Sequence, residues 1–480
     1  MKLSQLLGSL DVISSNADMD LEISSICYNS LAVQEGCLFV AVRGFKTDGH
    51  KYIKSAYEKG AAAAIVEEAP KDCAIPYILV NDSRKAIAVL ASEWFGHPER
   101  RAKVIGVTGT NGKTTVTNLI KEILESNGHK CGLVGTNGNM IGSEMLHTER
   151  TTPESYDLFE LFDRMTKEGC EYIIMEVSSH SLVLNRVYGI EFETAVFTNL
   201  TQDHLDFHVT MDEYAKAKAI LFDRCRHSVV NSDDAYAKVM LSGACRDHKT
   251  FSARSSEADF FAYNILLQSE GVAFDLRFEG ESYGIKLNIP GMFSVYNALA
   301  AIGCCMVLGL DMEDIAESLA MAHGVKGRAQ VVPTDTDYTV LLDYAHTPDG
   351  VENILKAAKG FAKGRVVGLF GCGGDRDKTK RPIMGRIAGT ISDFCIVTSD
   401  NPRSEEPMDI IRDILPGVEE TGCPHVVIED RREAIRYALS HGQAGDVIVL
   451  MGKGHENYQE IKGVKHHLDE YEEVLAYFKG

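Results

Sequence analysis

Gly109-Thr110-Asn111-Gly112-Lys113-Thr114-Thr115 combines the residue types that hold a polyphosphate. Glycines let backbone N–H groups approach phosphate oxygens, and a helix opening behind them adds positive potential. Lys113 can reach the β- and γ-phosphates of ATP, and the Thr114 hydroxyl can ligate Mg²⁺. The loop is shorter than the usual Walker pattern, because the position five before Gly112 is Val107. A glycine-rich turn with a solvated lysine is the plain alternative. Two further polar clusters follow apolar runs: Glu176-Val177-Ser178-Ser179-His180, and Thr198 through His208, which includes Asp203-His204-Leu205-Asp206. The hard oxygens of Glu176 suit Mg²⁺, and His204 could complete a catalytic metal site. Zinc is a weaker alternative because no ligand spacing is decisive, and each cluster alone could be ordinary loop capping.

These clusters need strands to present them. Val104–Val107 precedes the phosphate loop, and a periodic run from Thr114 to about Leu124 predicts the helix behind it. Tyr172–Met175 and Ala195–Phe197 run directly into the polar clusters, as buried parallel strands do where they end at a site. Cys37–Val42 and Ala74–Val80 read as earlier strands. Thr339–Leu342, Val366–Phe370, Phe394–Val397 and Val447–Met451 read as later ones. With Gly96-His97-Pro98 and Gly327 as turn signals, the expectation is a three-domain α/β protein. Residues 1–99 would form a small N-terminal α/β domain, 100–327 a central P-loop ATPase-like parallel-sheet domain, and 328–480 a C-terminal Rossmann-like domain.

Composition narrows the function. The 480 residues carry a formal charge of −20, which disfavours non-specific binding to nucleic acid or an acidic membrane and requires locally positive pockets for anions. No apolar run approaches the roughly 20 residues of a membrane span, and the first residues do not read as a signal peptide. Twelve cysteines are scattered without a CxxC pair, the pattern of reduced thiols in a cytoplasmic protein.

The ordered motifs resemble the Mur ligase family, the ATP-dependent amide-forming enzymes of peptidoglycan synthesis. They comprise the short phosphate loop, Thr151-Thr152-Pro153-Glu154, Glu176 to His180, Asp203 to Asp206, Gly327-Arg328 and Asp343-Tyr344-Ala345-His346-Thr347-Pro348. Gly371 to Asp377 and Gly452-Lys453-Gly454-His455-Glu456 narrow the resemblance to the members that add the third amino acid of the peptide. The resemblance implies an ATP site at Gly109, Thr110, Asn111, Gly112, Lys113, Thr114, Thr115, Asn297, Arg328, Asp343 and His346. It implies Ser30, Thr151, Thr152, Ser178 and Arg186 on UDP-N-acetylmuramoyl-L-alanyl-D-glutamate, and Lys218 as a carbamylated lysine. Lys113, Lys218, His204 and Glu176 become the catalytic candidates. Thr114, Glu176, His204 and the Lys218 carbamate become the metal-ligand candidates. By residue pattern alone, Lys218 is one of several lysines on an Ala-rich helix and is not separated from Lys216.

Asp400-Asn401-Pro402-Arg403 matches the motif of the members that use meso-2,6-diaminopimelate. The physical reason is direct, since a guanidinium can clasp the second carboxylate of that amino acid and would repel the ammonium of lysine. The resemblance adds Arg376 on a substrate carboxylate and Gly452 and Glu456 on the distal zwitterion. The expected reaction is ligation through an acyl phosphate, by a monomer that closes its domains. Some positions depart from the family pattern: Asn29-Ser30-Leu31 keeps only the serine of its motif, Leu184 replaces a glutamine, Ser294 an asparagine and Gln330 a frequent glutamate. A lysine-adding member, a diverged ligase, and a nucleotide-binding regulatory subunit therefore remain the alternatives.

Overall fold

Short apolar runs bounded by glycine or polar residues form the strands of this protein, a computed structural model that describes residues 1–479 apart from 45–46, 72–73, 147, 149, 246, 269 and 323. The first sheet takes β1 (Val12–Ser15), β2 (Ile26–Cys27), β3 (Leu38–Val40), β4 (Ala63–Val66) and β5 (Tyr77–Val80) in the order β1-β5-β4-β3-β2. All its pairings are parallel except β1 with β5.

The second sheet is built on β6 (Lys103–Thr108), β7 (Cys131–Val134), β8 (Asn139–Ile141), β9 (Glu144–Leu146), β10 (Tyr172–Glu176), β11 (Phe192–Phe197), β12 (Cys225–Asn231) and β13 (Asp247–Ser252). It is completed by β14 (Phe260–Gln268), β15 (Gly271–Phe278) and β16 (Glu281–Leu287). Its order is β16-β15-β14-β13-β12-β11-β6-β10-β7-β8-β9. The run from β14 to β7 is parallel, as expected, but antiparallel strands extend both edges. Solvent on one face explains why those edges escape a search for continuous apolar runs. The β15 segment alternates buried and partly exposed positions along much of its length.

The third sheet holds β17 (Gln330–Val332), β18 (Thr339–Asp343), β19 (Val366–Phe370), β20 (Phe394–Val397), β21 (His425–Val427) and β22 (Val447–Met451), ordered β17-β18-β22-β19-β20-β21. Only β17 is antiparallel to its neighbour. A separate hairpin, β23 (Tyr458–Ile461) with β24 (Val464–His467), follows. Each long apolar run singled out in the sequence overlaps one of these strands, although only Leu38–Val40 of Cys37–Val42 and Tyr77–Val80 of Ala74–Val80 are strand. Among the described residues, no helix is long and apolar enough to cross a membrane.

Buried charge also holds the third sheet. Arg431 and Glu470 are both fully buried and lie 2.8 Å apart. The Arg431 guanidinium also donates to the carbonyls of Met451 (2.7 Å) and Ser399 (3.2 Å), tying the ends of β22 and β20 together. Burial pushes the Glu470 carboxyl pKa up, and Arg431 opposes that rise. Removing one partner of such a pair strands the other. Arg431→Ala is expected to destabilise this part of the molecule by about 3–5 kcal/mol in urea unfolding, whereas Arg431→Met combined with Glu470→Leu should lose far less.

Candidate functional site

The phosphate loop leaves β6 and enters the helix Lys113–Ser126, whose preceding residue Gly112 has φ +86°. Two glycines are required by space as well as by angle. A Cβ on Gly109 would lie 1.9 Å from Thr198 Oγ1, and one on Gly112 2.5 Å from Asn297 Oδ1. The end of β11 braces the loop. Thr110 N donates to Asn199 O (2.8 Å), Asn111 N to Asn199 Oδ1 (2.9 Å), and Thr198 Oγ1 to Asn111 O (2.6 Å). Thr114 and Thr115 are buried in the first helical turn. Asn111 Nδ2 donates to Asp349 Oδ2, which also accepts from Thr201 Oγ1 at 3.0 Å. This contact joins the second and third sheets beside the loop.

Two lysines converge on this turn. Lys113 Nζ donates to Gly109 O (3.0 Å) and Thr110 O (2.8 Å), and Lys218 Nζ donates to Gly109 O (2.8 Å). Burial lowers the Lys113 pKa, with Glu176 and Asp203 opposing. Lys218, on the helix Met211–Ala219, is 1% exposed with its ammonium 4.6 Å from the Tyr214 ring centroid. Burial and then the positive charge of Lys113 drive its pKa well below the ordinary lysine value. Lys216 instead lies in solvent, 2.8 Å from Glu213. Geometry thus separates two lysines that the sequence pattern could not.

Glu176 ends β10, buried, accepting from Thr136 N (2.8 Å) and Thr136 Oγ1 (3.1 Å). His204 sits in left-handed backbone, 3.4 Å from Asp203, with its ring 4.9 Å from His180. Among the described residues, no group of three His, Cys, Asp or Glu side chains forms a ready metal cage. The candidate set Thr114, Glu176, His204 and Lys218 offers two oxygen donors, an imidazole and an amine. That set suits a hard cation that keeps part of its water shell when Lys218 carries a carbamate, whose oxygens take the place of the amine nitrogen. Its depressed pKa favours the neutral amine from which a carbamate forms.

The nucleotide-sugar candidates split into two places. Thr151, Thr152, Ser178 and Arg186 form one cluster. Thr151 Oγ1 lies 2.9 Å from Thr136 Oγ1, Thr152 Oγ1 donates to Glu176 O (2.8 Å), and Ser178 N donates to Thr152 Oγ1 (3.2 Å). Arg186 donates to Thr152 O (3.1 Å) and pairs with Glu154 at 2.8 Å, while its buried Nε has no partner among the described residues. Ser30 belongs to the first sheet's loops, where its carbonyl accepts from Lys59 Nζ (2.7 Å). The neighbouring Tyr28 donates to Asp157 Oδ2 (2.6 Å), along a cleft of about 590 Å³ lined also by Arg150 and Glu154. A larger cavity, about 740 Å³, opens among Lys103, Tyr172 and Glu193 at the amino side of the second sheet. Ligands of open parallel sheets bind at the carboxyl ends, so the larger cavity is not the candidate site.

The third sheet contributes the remaining candidates from the carboxyl ends of β18, β19, β20 and β22. Asp343 accepts from Ala329 N (2.7 Å) and Ala345 N (2.8 Å), and burial raises its pKa. Arg328 stacks over Tyr344 at 4.7 Å, reaches Thr114 Oγ1 at 3.5 Å, and leaves its buried Nε without a partner among the described residues. His346 lies in the same crevice, its ring 4.6 Å from Tyr344. Although the residue reaches solvent, desolvation of its ring between the crevice walls, with Lys380 and Arg328 nearby, lowers its pKa.

Arg376 and Arg403 flank Gly373. A Cβ there would meet Arg403 Nη1 at 2.9 Å and Arg376 Cγ at 3.9 Å. Arg403 has φ +52°, donates from Nη1 to Gly374 O (2.8 Å) and has Nε 3.5 Å from Glu460. Its loop is fixed from behind by buried Arg381, which grips Glu405 (2.8 and 3.0 Å) and Asp413 (2.8 Å). Asp400 and Asn401 are buried at the end of β20, and Pro402 O packs against Gly374 so closely that no Cβ fits there. Asn401 Nδ2 donates to Glu456 Oε2 (2.8 Å), and Gly452 has φ +115° with Asp400 Oδ2 directly over it. Burial alone would raise the Asp400 carboxyl pKa, but Lys453 and Arg431 outweigh it and hold it below the ordinary range. Sequence reasoning picked out the segment that holds Thr198 and Asn199 but not their bracing role, and it missed Asp349 and the buried position of Lys453. Lys453 was visible as the charged residue within Gly452-Lys453-Gly454, but a lysine between glycines gives no sign of burial.

Comparison with known proteins agrees with this architecture. Family models described as Mur ligase family, catalytic domain (residues 22–95), Mur ligase middle domain (107–305) and Mur ligase, glutamate ligase domain (327–454) match in turn. The UDP-N-acetylmuramoyl-L-alanyl-D-glutamate--2,6-diaminopimelate ligase of Clostridium botulinum is 48% identical over 487 residues, covering 100% of both chains. The enzyme of that name from Caldanaerobacter subterraneus is 48% identical over 482 residues, covering 99% of each. A solved structure bearing the same enzyme name superposes with TM-score 0.74 and 32% identity, covering 100% of this chain and 99% of that one. Matched by these models in chain order and by relatives nearly half identical from end to end, the chain belongs to the Mur ligase family.

Proposed function

We propose that this chain ligates meso-2,6-diaminopimelate to UDP-N-acetylmuramoyl-L-alanyl-D-glutamate, forming ADP and phosphate, in cytoplasmic peptidoglycan precursor synthesis. The observation that carries the reading is the pairing of Arg403 and Arg376 about Gly373, beside the acidic Asp400–Glu456 network. A site with guanidinium groups next to carboxylates suits a terminus bearing both carboxylate and ammonium. Relatives named for this reaction align over the whole chain, including that region. Residues 1–99 would serve the uridine end through Ser30, 100–327 the ATP site, and 328–480 the amino acid, with the chain acting as a monomer.

The chemistry follows from the substrates. A free carboxylate resists nucleophilic attack because its charge is delocalised. The γ-carboxylate of the D-glutamyl residue therefore attacks the γ-phosphorus of ATP, giving an acyl phosphate and ADP. The amine of the incoming amino acid then attacks the acyl carbon, phosphate leaves, and the nitrogen sheds its proton. Gly109 to Thr115 cradle the phosphates, and Lys113 exchanges its two carbonyl partners for phosphoryl oxygens, where positive charge counts most. Asn297, Arg328, Asp343 and His346 border the same space. The unpaired Nε atoms of Arg328 and Arg186 are donors suited to anionic groups of ATP and of the muramoyl substrate. Mg²⁺, when bound by Thr114, Glu176, His204 and carbamylated Lys218, supplies charge neutralisation between the phosphates.

Lys113→Ala should lower ATP-dependent phosphate release by about a hundredfold or more; an unchanged rate would reject its role. Because the Lys218 pKa is depressed, its neutral amine, the form that adds CO₂, is a larger fraction than in an ordinary lysine and falls as the solution is acidified. Labelled ¹³C-bicarbonate is expected to give a carbamate carbon signal that fades on acidification and is absent from Lys218→Gln. Arg403→Ala should raise KM for meso-diaminopimelate roughly ten- to a hundredfold, the worth of a charge-assisted pair. Unchanged preference among meso-diaminopimelate, lysine and glutamate would reject the carboxylate role of Arg403.

A further inference from the structure

We infer that Lys453 is a positioning residue that balances charge where the far end of the incoming amino acid is held, and so favours a zwitterionic terminus over a purely cationic one. The inference rests on the functional reading above. Lys453 is 0% exposed. Its Nζ donates to Asn401 Oδ1 (3.0 Å), Glu456 Oε2 (3.1 Å) and Asp400 Oδ1 (3.5 Å), which uses all three ammonium donors. The two carboxylates arrive from different strand ends, Asp400 after β20 and Glu456 after β22. They would repel each other without a cation between them.

A buried lysine is costly to desolvate, and an apolar side chain would fill the same volume more cheaply. The cation is therefore justified by what it neutralises. Three carboxylates meet in this region, Asp400, Glu456 and Glu460, the last lying 3.5 Å from Arg403. Lys453, Arg403 and Arg376 oppose them, while Arg431 and Glu470 cancel each other beneath. With Asp375 also facing Arg403, charges of the two signs balance to within one, which suits a terminus whose ammonium and carboxylate sum to zero. Without Lys453 the pocket gains a net negative charge and should better accept a lone ammonium, as in lysine.

The test measures kcat and KM for meso-diaminopimelate, L-lysine and ATP in the full-length chain and in Lys453→Gln, Lys453→Met and Lys453→Arg. In the neutral variants, the kcat/KM ratio of meso-diaminopimelate to lysine should fall about tenfold or more, while KM for ATP stays within about twofold. Lys453→Arg should restore most of the ratio. Lys453→Met combined with Glu460→Gln removes one charge of each sign and should bring the ratio back within about threefold of the unaltered protein. A ratio unchanged in the neutral variants overturns the inference, as does a double variant no more selective than Lys453→Met. If neither neutral variant folds, the double variant decides: a lost ratio overturns the inference and a retained one supports it. Failure of the unaltered protein to use meso-diaminopimelate at all would reject the functional reading instead.

Discussion

The constraint on which the site depends is the absence of room at Gly109 and Gly112. The turn after β6 runs so close to Thr198 and Asn297 that a single methyl group would collide with either side chain. That closeness lets Asn199 and Thr198 bind the loop's backbone, so the loop is held open by its neighbours rather than by its own sequence. The carbonyls of Gly109 and Thr110 then face inward, where Lys113 fastens on both and Lys218 on that of Gly109. Loop shape, lysine placement and helix entry are consequences of one tight approach between two parallel strands.

A chain with net charge −20 that handles anionic substrates must bury its cations where they are needed. This one does so at strand ends, and each buried cation has a different set of partners. Lys113 and Lys218 rest on backbone carbonyls away from water, so burial lowers their pKa values, and the charge of Lys113 lowers that of Lys218 further. Lys453 and Arg431 are matched by carboxylates in the interior. Arg186 and Arg328 keep a donor unfilled among the described residues. In the first pair Lys218 suits a role that needs a neutral amine and Lys113 a charge that phosphate oxygens stabilise, while the second pair suits a fixed framework and the third a ligand.

Much of this was legible in the sequence where the residue pattern and the strand ends coincide. Val104–Val107, Tyr172–Met175 and Ala195–Phe197 read as strands because burial on both faces leaves them uniformly apolar, and their polar tails marked the site. The edge strands β14 to β16 were not legible, because one face meets solvent and their pattern is mixed. The pairing across sheets, Asn111 with Asp349, joins residues far apart in the chain and leaves no local signal. Lys218 was distinguishable from Lys216 only by resemblance until burial separated them, since a helix face is set by what packs on it. Lys453 was hidden for a related reason: a lysine flanked by glycines reads as solvated, and only the convergence of two strand ends makes it a core residue.

The most direct measurement of the central claim is the mass of the product made by the purified protein from UDP-N-acetylmuramoyl-L-alanyl-D-glutamate, ATP and Mg²⁺ with equal amounts of meso-diaminopimelate, L-lysine and L-glutamate. The account predicts that the tripeptide containing meso-diaminopimelate dominates and forms in step with ADP. A product carrying lysine or glutamate instead, or ATP hydrolysis with no new amide, would contradict it.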